Sequence, residues 1–460
     1  MAGVSQAYRS AFLASDVNNE HSFESYSARQ LRYLMNWSFY ENTAYSNLHL
    51  YSQGLRVDSG LYKHIRPIYN PAYRLATNYV SSIFGGWLSP DALEEGAIPI
   101  DVFGGNESAL RPAIAKVWHY SNWQVNKDIY SLHGTTMGDA VLYIRNSPDE
   151  ERAVIEVMNP SLVKNVEINT QGYVKSYMIE EPRYDNAGKK CVYTETCERG
   201  EGEEVVFRTY RDGKPYVWDG NEYSEWTTNW GFVPLVATQH NNVGLKWGWA
   251  EMHPIRGKII EIDDLASKLH DQIRKVVDAP GLVTGVSAAD IEIESTDATT
   301  DKPQPYREKL PLLFSTNENA RYQSMVGDLN IADTMIAIDS MVKELEREMP
   351  EMREDVWANN AKEVGIKAAQ DRVEKKIISR RTGYDNGLVR GLQMAIAISG
   401  DAGYEGFQGF DLGSYKAGAL DFRVAQRPVF AVDRAEQIAL EMQEIELAQM
   451  ERGMEGVVNA

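Results

Sequence analysis

Residues 319–349 read NARYQSMVGDLNIADTMIAIDSMVKELEREM, and the rest of the chain is interpreted outward from this stretch. It holds no proline, and apolar side chains recur at Met325, Leu329, Ala332, Ile336, Val342, Leu345 and Met349. That spacing follows the helical period and predicts one continuous helix, about 46 Å long at 1.5 Å per residue. A second segment answers it upstream, where Ile255, Ile259, Ile262, Ala266, Leu269, Ile273 and Val276 alternate steps of four and three. Pro254 suits its start and Ala279-Pro280-Gly281 its end. Two long helices bracketing a short excursion describe a rod with a head. Such a hairpin buries too little of itself alone, so packing beside copies of itself is expected.

The excursion, residues 279–318, offers Leu282-Val283-Thr284 and Ile291-Glu292-Ile293-Glu294 as short strands. A polar run at 295–304 reads as an exposed loop, and Leu310 to Phe314 is the most apolar piece. After Met349, Pro350 breaks helicity, and residues 361–399 resume it with Val364, Ala368, Val373, Ile377, Tyr384, Leu388, Leu392 and Ile396 as apolar markers. Eight basic against four acidic residues lie between Lys362 and Arg390, the one strongly basic part of the chain. A glycine-rich loop follows at 400–418, then a short extended piece at 422–430. A last helix over 435–450, which Asp433 can cap, lies in an acidic tail.

The N-terminal half changes period. Residues 22–45, 67–85 (starting near Pro71) and 110–130 read as helices, with the aromatics of the first and Leu75, Tyr79, Ile83, Ile114, Val117, Trp118 and Trp123 as packing faces. From residue 140 the period becomes two. Strands are predicted at 140–144, 154–157, 162–168, 174–179, 190–196 and 205–210, in a mainly antiparallel sheet because no helix intervenes. The fold class is therefore α+β. Trp218, Trp226, Trp230, Trp247 and Trp249 gather near the end of this region, as core or as subunit interface.

With 460 residues the chain should hold two to four domains. Its net charge of -19 argues against an exposed basic surface that grips nucleic acid, though not against a channel that lets a polyanion pass. Cys191 and Cys197 could face each other in a hairpin, but two cysteines in so long a chain fit a reducing compartment. No signal peptide or membrane span is evident. Gly188, Gly213 and Gly257 each precede lysine without the rest of a P-loop, and nucleophile elbows, H-E-x-x-H and zinc spacing are absent. Asp263-Asp264 could hold Mg²⁺, but a solvated helix face is the better account. Gly134-Thr135-Thr136-Met137-Gly138 could cradle an anion, but a loop leading into a strand is the commoner meaning. No group of residues assembles a nucleophile, base and orienter; the expectation is a non-enzyme without cofactor or metal.

Residues 231–283, GFVPLVATQHNNVGLKWGWAEMHPIRGKIIEIDDLASKLHDQIRKVVDAPGLV, resemble the portal proteins (head-tail connectors) of tailed bacteriophages, of the Bacillus siphophage-like family. The carrying features are Val233-Pro234-Leu235-Val236, then Asn241, Asn242 and Gly244, then a long helix with Ile262-Asp263. The likeness extends over about residues 25–450, including VGIKAAQDRVEKKIISRR and DFRVAQRPVFAVDRAE. The stretch Gly244-Leu245-Lys246-Trp247-Gly248 and the aromatic-rich sheet depart from it.

This resemblance implies a portal fold: a flexible N-terminus at 1–21, an α/β wing at 22–250, stem helices at 251–278 and 319–349, and a small α/β clip at 279–318. A tunnel loop would follow at 350–360, a long channel helix at 361–400, and a loop with a helical crown at 401–460. It implies a ring of about twelve subunits at one vertex of the virion capsid, assembled in the host cytoplasm. Double-stranded DNA would be packaged through it by terminase and later ejected. The terminase large subunit, a head-tail adaptor and the major capsid or scaffolding protein would be its partners; no membrane is involved. The channel constriction would fall on Glu351, Glu354, Asp355, Val356, Trp357, Asn359 and Asn360. Phosphate could be touched by Lys367, Arg372, Lys375, Lys376, Arg380 and Arg381, which are also placed to pair with acids of a neighbouring subunit. The clip would dock partners through Thr296, Asp297, Thr299, Thr300, Asp301, Lys302 and Gln304. Stem packing would use Ile255, Ile259, Ile262, Leu269, Ile273, Leu329, Ile336 and Leu345. The alternative is another virion structural protein, a head-tail adaptor or tail component.

Overall fold

The alternating segments of the N-terminal half fold into antiparallel sheets that helices cover. The computed structural model describes residues 26–45, 65, 67–84, 100–103, 107–185, 187–218, 221–277, 281–284, 291–293, 313–315, 321–324, 331–352 and 363–429. The chain divides into two compact units, residues 1–47, 71–254 and 349–460 in the first and 48–70 and 255–348 in the second.

In the first unit, helices α1 (Tyr26–Tyr40), α2 (Ala72–Phe84), α3 (Glu107–Tyr120) and α4 (Trp123–Met137) surround strands β2 (Asp139–Ser147), β3 (Arg152–Met158) and β10 (Leu235–Gln239). These three form a sheet ordered β10-β2-β3. Strands β4 (Val163–Ile168), β5 (Val174–Tyr184), β6 (Lys190–Arg199), β7 (Val205–Arg211) and β8 (Lys214–Pro215) follow one another in a second antiparallel sheet, with β9 (Glu225–Thr228) on β7. Val141 and Leu235 join Val166, Tyr177, Cys197 and Phe207 in one core. The next side chain along β2, Leu142, lies instead under the long helix α7 (Glu363–Asp401), beside Gly391. The period of two thus fills both faces of the smaller sheet. A helix of five residues, α8 (Leu412–Lys416), and a two-stranded sheet of β1 (Ile100–Val102) with β15 (Phe422–Val424) complete the unit.

The helix expected at 110–130 is two helices. Asn122 adopts the left-handed conformation with φ 46° and breaks the run, a role asparagine tolerates better than most side chains. The Gly134–Gly138 stretch is the last turn of α4, not a loop. A Cβ on Gly134 would lie 1.7 Å from the Tyr384 hydroxyl, and Gly138 ends the helix at φ 105°.

Cys191 and Cys197 both lie on β6, so they do not face each other across a hairpin; six residues at about 3.3 Å each separate them along one strand. Both are free and buried. Between them the buried carboxylate of Glu195 accepts hydrogen bonds from Tyr177 Oη at 2.6 Å, Tyr143 Oη at 3.1 Å and the Tyr193 hydroxyl. Three of the five tryptophans pack on side chains of the first unit. Trp218 is buried against Tyr193, Trp226 stacks on Phe207 at 5.3 Å, and Trp247 lies under the Arg29 guanidinium at 3.4 Å. Arg29 also donates to the Val163 carbonyl, so α1 covers the start of the β4 edge.

The second unit contains α5 (Arg256–Val277), α6 (Ile331–Glu348) and four short strands between them. β11 (Gly281–Thr284) pairs with β14 (Arg321–Ser324), and within that pair β12 (Ile291–Ile293) pairs with β13 (Leu313–Ser315). The helices run antiparallel, with Lys258 near the start of α5 bonded to Glu348 at the end of α6 at 2.6 Å. Residues 321–324, expected as helix, form a strand. Pairing with β11 supplies hydrogen bonds that outweigh a helical period resting there on Met325 alone. Asp263 and Asp264 are buried instead of solvated. The Asp263 carboxylate accepts the Ile68 and Tyr69 backbone N–H groups at 2.9 and 2.6 Å, and Asp264 meets Lys268 at 2.7 Å. The passing backbone at 67–70 covers the helix flank that the apolar stripe alone would have left in water.

Of the stem positions, Ile255, Ile259, Ile262, Leu269 and Leu345 are buried, Ile273 is half-buried, and Ile336 is 66% exposed. Leu329 lies outside the described residues, as do the clip positions Thr296, Asp297, Thr299, Thr300, Asp301, Lys302 and Gln304, and the helix expected at 435–450. No helix among the described residues is long and apolar enough to cross a membrane.

Candidate functional site

Three of the six basic positions singled out on the long helix sit among charged or carbonyl partners of the first unit. Val373, Ile377, Tyr384 and Leu388 form the buried face of α7, and Lys376 and Arg380 flank it one turn apart. Lys376 Nζ lies 2.7 Å from Glu251 Oε1 and 2.7 Å from Glu351 Oε1, and 3.2 Å from the Met349 sulfur. Arg380 donates from Nε to Glu251 Oε2 at 3.1 Å and from Nη1 to Asn241 Oδ1 at 3.0 Å. Glu351 belongs to the short helical turn Pro350–Met352, and Tyr79 of α2 donates its hydroxyl to Glu351 Oε1 at 3.1 Å. Arg74 holds the same turn through the Met352 carbonyl at 3.0 Å.

His240 closes the cluster. Its Nε2 lies 3.0 Å from Glu251 Oε2 and its Nδ1 2.8 Å from the Tyr384 hydroxyl. With a carboxylate on one side, the consistent arrangement has Nε2–H donating to Glu251 and the Tyr384 O–H donating to Nδ1. Burial pushes His240 down, so the ring is neutral at pH 7. Burial alone would raise Glu251, but the hydrogen bond from His240 and the charges of Lys376 and Arg380 outweigh it and hold the carboxyl well below its usual range. Two carboxylates therefore face two cations. The network joins four separate segments of the first unit. Glu251, His240 and Tyr384 form a hydrogen-bonded line, and all three are buried.

Arg381 is buried and bonds main-chain oxygens, Ser82 at 2.8 Å and Arg427 at 2.6 Å. Burial, with Arg427 nearby, lowers it to about 10, still a cation at pH 7. Arg372 and Lys375 are exposed. The side chain of Lys367 and residues Glu354, Asp355, Val356, Trp357, Asn359 and Asn360 lie outside the described residues. Of the expected constriction residues, only Glu351 is described, and its carboxylate is buried against Lys376.

Sequence reasoning missed Glu251, His240, Tyr79 and Tyr384 as members of this cluster. Tyr79 and Tyr384 fall on apolar helical stripes and read as core, and His240 stands singly, so no local pattern ties them to Lys376. Asn241 was marked only as part of a family motif. Among the described residues no group of three or more His, Cys, Asp or Glu side chains could hold a metal ion. No protein-family model matches the chain, and no curated protein matches it.

Proposed function

We propose that this chain is the subunit of a viral portal: a ring at one capsid vertex through which duplex DNA is packaged and later ejected, and to which the tail is joined. The observation that carries the reading is the order of parts in the second unit. A long helix leads into nested antiparallel strand pairs and returns as a second long helix, whose Met335 and Ile336 are 58% and 66% exposed. Apolar side chains presented together on a slender hairpin suit packing against a copy of the same hairpin. The 39-residue α7 and the acid excess of the chain support the same reading, since an acidic wall lets a polyanion slide where a basic one would hold it.

In this reading the buried cluster anchors the start of the tunnel loop to α7. The constriction then rests on Glu354, Asp355, Val356, Trp357, Asn359 and Asn360. The cations left to meet phosphate are Lys367, Arg372 and Lys375, because Lys376 and Arg380 are matched by Glu251 and Glu351. The nested strands are the clip that meets terminase and then the adaptor. Native mass measurement of the purified protein, without nucleotide or metal, is expected to give a ring of about twelve subunits, with a central hole of duplex width in negative-stain images. A dominant monomer or dimer would sink the reading.

A further inference from the structure

The two larger sheets of the first unit end beside each other. β4 is the terminal strand of the larger sheet and β10 of the smaller one. Val166, Glu167 and Ile168 of β4 and Val236, Ala237 and Thr238 of β10 line one open groove of about 960 Å³, which α7 floors with Ser379, Thr382 and Asn386. A terminal strand carries backbone N–H and C=O groups on its outer side at the spacing an extended peptide presents.

The charge of this groove runs against that of the whole chain. Lys175, Lys246, Arg380 and Arg390 line it with a single acid, Glu167. Lys246 Nζ bonds the neutral Asn165 side chain at 2.7 Å, and Arg390 donates to the carbonyls of Gly172 and Gln171 at 2.6 and 2.8 Å. Only Arg380 has a carboxylate partner among these bonds, Glu251. A molecule of net charge -19 thus keeps an electropositive slot between two strand ends.

We infer that this groove binds an extended, acidic peptide segment of a partner protein, which adds as a strand to the β10 or β4 edge and sets its carboxylates against Lys175, Lys246 and Arg390. Single-stranded nucleic acid fits less well, because the only ring lining the groove is that of buried His240, which offers no face for a base to stack on. Among the described residues the acidic runs Asp149 to Glu151, Glu201 to Glu204, and Glu344 with Glu346 and Glu348 lie in turns or in α6 and are not free to extend. This inference stands whether or not the protein forms a portal.

The probe is a fluorescein-labelled peptide of alternating glutamate and valine, about eight residues long, enough to span the five residues of β10. Fluorescence anisotropy with the full chain should show saturable binding. The double variant K175E/K246E should weaken it about tenfold or more, since complementary charge is lost at one exposed and one half-buried position, and an unchanged far-ultraviolet circular dichroism spectrum shows that it is folded. N-methylation of alternate peptide nitrogens should abolish it, because one edge of the peptide then lacks its donors. Absence of binding, equal binding by the double variant, or equal binding of the N-methylated probe would each overturn the inference. A third arm separates the source of the segment: if the probe binds only after removal of residues 430–460, the chain's own acidic tail is the occupant and the partner assignment is wrong.

Discussion

Asp139 at the start of β2 shows how one buried carboxyl ties three elements and sets a pH dependence. Tyr33 of α1 donates to its Oδ2 at 2.6 Å and the Gly248 N–H to its Oδ1 at 2.8 Å. Burial pushes the group up to about 6, against the pull of Arg32 and these hydrogen bonds. Between an ordinary carboxyl value near 3.9 and about 6, the folded chain binds more protons at this position than the unfolded chain. Stability from this group is therefore present at low pH and falls as pH rises through that window, by about 3 kcal/mol. Asp139→Asn keeps both contacts, with Oδ1 accepting from Gly248 and the amide donating to the Tyr33 oxygen. Urea unfolding at pH 4.5 and pH 7 should show the variant gaining on the wild type as pH rises. An unchanged difference between the two proteins at both pH values would refute the assignment. Nothing in the sequence announced this residue: aspartate one position before a strand is ordinary turn chemistry, and only the fold reveals that α1 lies over it.

At the scale of elements, periodicity carried most of what could be read. The six strands from β2 to β7 follow the alternation of their apolar residues, and α2, α5 and α7 follow their stripes to within a few positions. The breaks were less legible. Ser121 and Asn122 interrupt the aromatic stripe of α3 and α4 without disturbing its spacing, and β14 owes its form to β11, some forty residues away. The ionic cluster was hidden for the same reason, because its members come from α2, the segment after β10, the Pro350 turn and α7. Its energetic logic is nevertheless testable. Lys376→Met leaves Glu251 and Glu351 without the cation between them and should destabilise the first unit by about 3 to 5 kcal/mol. Adding Glu351→Gln removes one stranded charge while keeping the Tyr79 hydrogen bond, so the double variant should be more stable than the single one in denaturant titrations. If the two losses simply add, the carboxylates are not coupled through Lys376.

At the scale of the whole molecule, the proposed assembly rests on α6, where Met335 and Ile336 are exposed side by side. Each such side chain contributes roughly 1.5 to 3 kcal/mol when buried, and in the ring we propose that contribution would recur at each subunit boundary. If the wild-type protein forms the proposed ring, the double substitution Met335→Glu and Ile336→Glu should shift the native mass distribution from rings to small species while the far-ultraviolet circular dichroism stays unchanged. Rings that persist would move the assembly contact off α6.

The pairing of β11 with β14 has a consequence for how this chain can change over time. Thr284 and Arg321 are direct cross-strand partners, so the backbone leaves and re-enters the helical hairpin at neighbouring points. Everything from residue 285 to 320 is therefore a cassette whose two ends are already clasped. Its length and sequence can drift, or be exchanged for an unrelated segment, at a closure cost that grows only with the logarithm of its size. Selection acting on what the cassette touches is in this way uncoupled from selection acting on the register of α5 against α6.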